Sequence, residues 1–174
     1  ARNRYGTRTL AGEGRVTASA LPSAHVVALA LSALFPSVGR TLHSPEHRDT
    51  FTVRAKMVEY ACADAGLARC ATLHAIVFVE SGYRLRNARA SLAACNPYGT
   101  DDWQQATCAA RSLASALRRC HVTPRALNRY QYGECAVPRG RRHRRARARA
   151  AAYVRSVTRI ATAIERITSG QVRP

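Results

Sequence analysis

Apolar residues recur along the chain at the spacing of one helix face in several separate stretches. From Pro45 to Ala65 the positions Phe51, Ala55, Val58, Cys62 and Ala65 follow at steps of 4, 3, 4 and 3. That is the period of an α-helix with a single buried stripe. Ser44 is placed to cap this helix, Pro45 suits its first position, and Gly66 closes it. From Trp103 to Cys120 the positions Trp103, Ala106, Ala110, Leu113, Leu117 and Cys120 step by 3, 4, 3, 4 and 3. A third stripe, Tyr153, Val157, Ile160, Ile164 and Ile167, predicts a closing helix from about Ala150 to Thr168, with Gly170 as its stop. Thr123-Pro124 opens a short helix that runs through Leu127 to Tyr130.

Two stretches break the one-face pattern. Ala71 to Glu80 is apolar on nearly every side, which predicts a buried central helix ended by Ser81-Gly82. His25 to Phe35, between Pro22 and Pro36, is a shorter segment of the same kind, to be buried against the body or a partner. Residues 1 to about 22 are polar and Arg-rich and read as an extended arm, and residues 83 to 102 as a loop with a turn at Asn96-Pro97-Tyr98-Gly99. Residues 138 to 149 are a low-complexity Arg tract, expected as an insertion between helices. The expectation is an all-α protein. Residues 1–44 form a basic arm with one short helix, and residues 45–174 a helical domain carrying the insertion 138–149.

Composition sharpens this picture. Hydrophobic residues make up 47% of the 174, and much of that is Ala, which favours helix over sheet. There are 28 Lys plus Arg against 10 Asp plus Glu, a formal charge of +18, and Lys56 is the one lysine. Guanidinium forks pair with phosphate and carboxylate, so an anionic polymer is the expected partner, either nucleic acid or a bacterial envelope. A G- and C-rich genome would also replace Lys by Arg. Six cysteines, Cys62, Cys70, Cys95, Cys108, Cys120 and Cys135, suit disulfides in an oxidising compartment. Of the fifteen possible connectivities, pairing of sequence neighbours is expected: Cys62 with Cys70, Cys95 with Cys108, Cys120 with Cys135. No Cys-x-x-Cys spacing suggests zinc, and neither His25 nor His74 reads as a metal ligand. No cofactor is called for. The longest apolar run, Val26 to Phe35, is about half of what spans a bilayer.

Glu80 stands out chemically. It ends the most apolar helix, where partial burial and the negative end of the helix dipole would both favour the protonated acid. A carboxylic acid of that kind is what general-acid cleavage of a glycosidic bond requires. The plainer reading of the residue alone is a solvent-facing helix-end Glu.

The stretch Tyr60 to Tyr83, YACADAGLARCATLHAIVFVESGY, resembles the start of lytic transglycosylase domains of the soluble-lytic type, in the lysozyme-like superfamily. There two helices lead into Glu-Ser-Gly-aromatic, matched here by Glu80, Ser81, Gly82 and Tyr83. Ala126 to Gly133, ALNRYQYG, is similar to a second block of that family, with Tyr130 on its Tyr and Gln131 in place of the usual Asn. Tyr153-Val154 fits the start of the family's closing helix. The blocks occur in family order over roughly residues 55 to 168. The resemblance departs in the loop after the Glu, where the usual Gly-Leu-Met-Gln segment is missing. Asn96 and Gly99 are candidates to line the groove, with Gln104, or Gln105, standing for the family's Gln.

The resemblance implies a lysozyme-like fold, Glu80 as sole acid and base, and Ser81, Tyr83, Asn96, Gly99, Gln104 and Tyr130 as sugar contacts. It implies peptidoglycan as substrate and a 1,6-anhydro product, in a protein that is secreted, periplasmic or carried with other proteins of a phage particle. A hydrolase would need a second carboxylate, for which Asp101 and Asp102 are the candidates, although one of them is expected to cap the helix near Trp103. Arg141, Arg142, Arg144 and Arg145 are candidates to hold nucleic acid or another anionic partner, against a plainer reading as solvated residues. The rival to the enzyme is an inactive lysozyme-like structural protein that binds such a partner.

Overall fold

The computed structural model describes residues 22–85, 92–93, 95, 101–137 and 139–171. Among them there is no strand, and the architecture is all-α. The helices are α1 (Ala24–Leu34), α2 (Pro36–Leu42), α3 (Pro45–Asp64), α4 (Cys70–Ser81), α5 (Asp102–Cys120), α6 (Thr123–Tyr132) and α7 (Arg144–Thr168), with 3-10 turns at Gly82–Arg84 and Arg141–His143.

Helix α4 is the centre, as its uninterrupted apolar surface requires. Every residue from Cys70 to Val77 is buried, and α7, α3 and α5 pack around it. The stripes on the surrounding helices point at it: Phe51, Ala55, Val58 and Cys62 on α3, Ala106, Ala110 and Leu113 on α5, and Tyr153, Val157, Ile160 and Ile164 on α7. Trp103 departs from its expected stripe. It stands at the first turn of α5 with 42% of its surface exposed, beyond the reach of the core. Helix α1 buries Val27, Ala30 and Leu31 in the same core, against α7 and α3. The short α2, for which the sequence carries little periodic signal, adds Val38 and Leu42.

All three disulfides join the expected neighbours. Cys62–Cys70 ties the end of α3 to the start of α4, Cys95–Cys108 ties the loop after α4 to α5, and Cys120–Cys135 ties the end of α5 to the segment after α6. Their Cα separations of 5.7, 5.9 and 5.6 Å are ordinary for the bond.

The Arg tract is where the expected architecture is corrected. It is not an insertion preceding a helix at Ala150: α7 starts at Arg144, so Arg144, Arg145, Arg147 and Arg149 occupy its first two turns. Arg and Ala are both strong helix formers, and no Gly or Pro falls between Arg141 and Ser169. Propensity and continuity with the packed half of α7 outweigh the unfavourable placement of cations at a helix N-terminus.

Candidate active site

Glu80 sits in the last turn of α4, which Gly82 ends in the left-handed conformation (φ 57°). The chain then continues through two more left-handed residues, Tyr83 (φ 57°) and Arg84 (φ 59°). Non-glycine residues hold this conformation at a cost of order 1–2 kcal/mol each. A charged clamp opposes that strain. Arg54 of α3 donates from Nε to Asp102 Oδ2 at 2.9 Å and from Nη1 to the Tyr83 carbonyl at 2.8 Å. Arg84 pairs with the other oxygen of Asp102. The turn after Glu80 is thereby bound to α3 and α5 together.

Glu80 itself is half-buried and faces tyrosines. The Tyr153 hydroxyl, on α7, donates to Glu80 Oε1 at 2.9 Å. The Tyr130 hydroxyl, on α6, is enclosed and has no hydrogen-bond partner among the described residues. Burial, and after it the negative charge of Glu80, pushes both phenols well above their ordinary range. Tyr130 and Tyr132 raise Tyr153 further through their own charge, so three tyrosines lie within electrostatic reach of one another at this site. Phenols held this way keep their protons, and Tyr153 is a fixed donor to the carboxylate. Tyr130 also lines an open cavity of about 400 Å³ with Arg111, Ser112, Ser115 and Arg129.

The other expected site residues fall into different places. Tyr83 is fully buried and turns inward: its hydroxyl shares a hydrogen bond with His74 Nδ1, and its ring lies 4.7 Å from that of Phe51. The expectation that it contacts sugar is therefore corrected, since its left-handed backbone directs the ring into the core. Ser81 Oγ lies 2.9 Å from the Val77 carbonyl and 2.6 Å from that of Leu92, so this hydroxyl pins the following loop to α4. Asn96 and Gly99 lie outside the described residues. Gln104 is exposed on the first turn of α5, whereas Gln105 is fully buried and accepts from the Cys95 N–H at 3.4 Å.

Both aspartates have structural tasks. Asp101 caps α5, accepting from the Gln104 N–H at 2.9 Å, and Asp102 is the centre of the arginine clamp. Arg141, Arg142, Arg144 and Arg145 are exposed, and no carboxylate among the described residues pairs with them.

Two contributors were not singled out from the sequence. Tyr153 read as one member of an apolar stripe, and only the packing of α7 on α4 brings it to Glu80. The Arg54–Asp102–Arg84 clamp joins residues 48 and 18 positions apart, a separation that no local pattern carries. No group of three or more metal-ligating side chains occurs among the described residues. No protein-family model, curated protein or solved structure matches the chain.

Proposed function

We propose that the chain is a lytic transglycosylase that cleaves the glycan strands of peptidoglycan, with Glu80 as its single catalytic acid and base. The observation that carries this reading is the setting of Glu80. A carboxyl at the end of the buried central helix is held through Oε1 by Tyr153, with the enclosed Tyr130 hydroxyl close by. In the proposed reaction Glu80 protonates the glycosidic oxygen as that bond breaks. The resulting carboxylate then takes the proton of the muramic 6-hydroxyl while its oxygen closes a 1,6-anhydro ring on C1. The fixed Tyr153 hydroxyl supports the carboxylate formed in between.

One carboxylate suffices for this chemistry, and the ties of Asp101 and Asp102 to the α5 cap and the arginine clamp favour it over a two-carboxylate hydrolysis. Three disulfides suit an oxidising compartment, and the reading places the protein in a secreted, periplasmic or virion setting. The exposed arginines at the start of α7 would hold the enzyme to an anionic wall.

Those same arginines favour the second reading, an inactive helical body of lysozyme-like type that binds nucleic acid or another polyanion. Digestion of purified sacculi by the parent and by Glu80→Gln separates the two. The enzyme reading expects clearing by the parent and a loss of at least about a hundredfold in the variant. Equal clearing by both proteins contradicts the assignment of Glu80, and no clearing by either favours the binding protein.

A further inference from the structure

A second concave surface lies away from Glu80. It is a groove of about 520 Å³ between α6, the segment that follows it, and the first half of α7. Its lining includes three guanidinium groups, Arg125, Arg147 and Arg155, and no carboxylate among the described residues. Its floor is aliphatic, with Val137 and Val154 among small alanine side chains. Asn128 adds a side-chain amide that both donates and accepts. Asn128 and Tyr130 are two residues apart on α6 and so project about 200° apart. The groove therefore opens on a different side of that helix from the tyrosine beside Glu80.

Each part of the lining selects for a chemistry. Guanidinium forks match carboxylates in a two-point geometry. The methyl-covered floor fits small aliphatic side chains and gives little to a phosphodiester backbone, which would want cations along its whole length. An amide in the wall matches a peptide bond, with one donor and one acceptor. Charge and lining together describe the complement of a short peptide that carries carboxylates and small aliphatic side chains.

We propose that this groove binds the carboxylate-bearing stem peptides that hang from the glycan strands, and so selects peptide-substituted glycan. The choice of stem peptide rests on the glycan-cleaving reading above, whereas the match to an acidic peptide with small aliphatic side chains rests on the groove alone.

The test is calorimetric titration of the full chain with a free, sugar-less stem peptide, and with the same peptide after amidation of its carboxyls. Saturable binding is expected, weakened at least tenfold by amidation and about tenfold or more by each of Arg125→Gln and Arg155→Gln. Glu80→Gln should bind the peptide as the parent does. The two arginine variants should cleave peptide-free glycan strands at the parent rate, because neither residue belongs to the Glu80 site. Equal binding of free and amidated peptide, unchanged binding in both arginine variants, or no binding to the parent would overturn the inference. So would displacement of the peptide by short duplex DNA at equal phosphate and carboxylate concentration, which would mark the groove as a phosphate site. Peptide binding without glycan cleavage would sink the catalytic reading while leaving the groove a peptide site. Cleavage without peptide binding would do the reverse.

Discussion

The hydroxyl of Tyr130 separates a catalytic from a packing role at the scale of single residues. It is enclosed without a protein hydrogen-bond partner among the described residues, and such a group costs about 1–3 kcal/mol of stability. Tyr130→Phe removes that cost and keeps the ring. Melting temperature is therefore expected to hold or rise, while glycan cleavage slows by about tenfold or more. A slower enzyme that is also less stable would assign the hydroxyl to packing. His74 offers a second residue-scale test. It is fully buried, and burial lowers its imidazole to about 3 from the ordinary 6.5. The unfolded chain therefore takes up the proton first. The contribution to stability is complete above pH 6.5 and drains as pH falls toward 3, by about 1.4 kcal/mol per pH unit. His74→Gln keeps an acceptor for Tyr83 and removes the titration, so its denaturant stability should fall less steeply between pH 6 and 4. Identical acid slopes in parent and variant would show that His74 does not govern this limb.

The helices show what spacing does and does not reveal. The stripes of α3 and α7 and the all-round burial of α4 were legible because each depends only on residues one turn apart. Spacing alone does not place Trp103, whose step fits the α5 stripe but whose first-turn position lies past the edge of the core. Nor does charge separate the Arg tract from an insertion, since a run of charge looks like a loop when propensity is set aside. From Arg144 on the tract forms the opening turns of α7, with Arg144 and Arg145 exposed, and this bears on its function. Replacing Arg141, Arg142, Arg144 and Arg145 by Gln should weaken binding to a polyanion and flatten its salt dependence. For duplex DNA the log–log slope should fall by about 0.9 for each phosphate that these arginines had neutralised. Thermal stability should rise slightly, because cations leave the positive end of a helix. An unchanged salt slope would mean that these arginines touch no polyanion.

The disulfides and the Glu80 site differ in how far the whole molecule must be assembled before they appear. The disulfides were legible because their loops are short, 8, 13 and 15 residues in span. The Glu80 site is built across the fold: α4 supplies the carboxyl, α6 and α7 the phenols, and α3 and α5 the clamp that holds the following turn. Its acid was visible in sequence as a lone carboxyl at the end of an apolar helix, and its surroundings were not, because they arrive from 50 and 73 residues downstream. The proposed chemistry rests on that assembly: one carboxylate with a tyrosine donor, while Asp101 and Asp102 are engaged in the α5 cap and the arginine clamp. Mass analysis of the fragments released from sacculi by the parent protein tests it most directly. Muropeptides with 1,6-anhydro ends, lighter by one water than hydrolysis products, are the expected fragments. Fragments with reducing ends alone would contradict it.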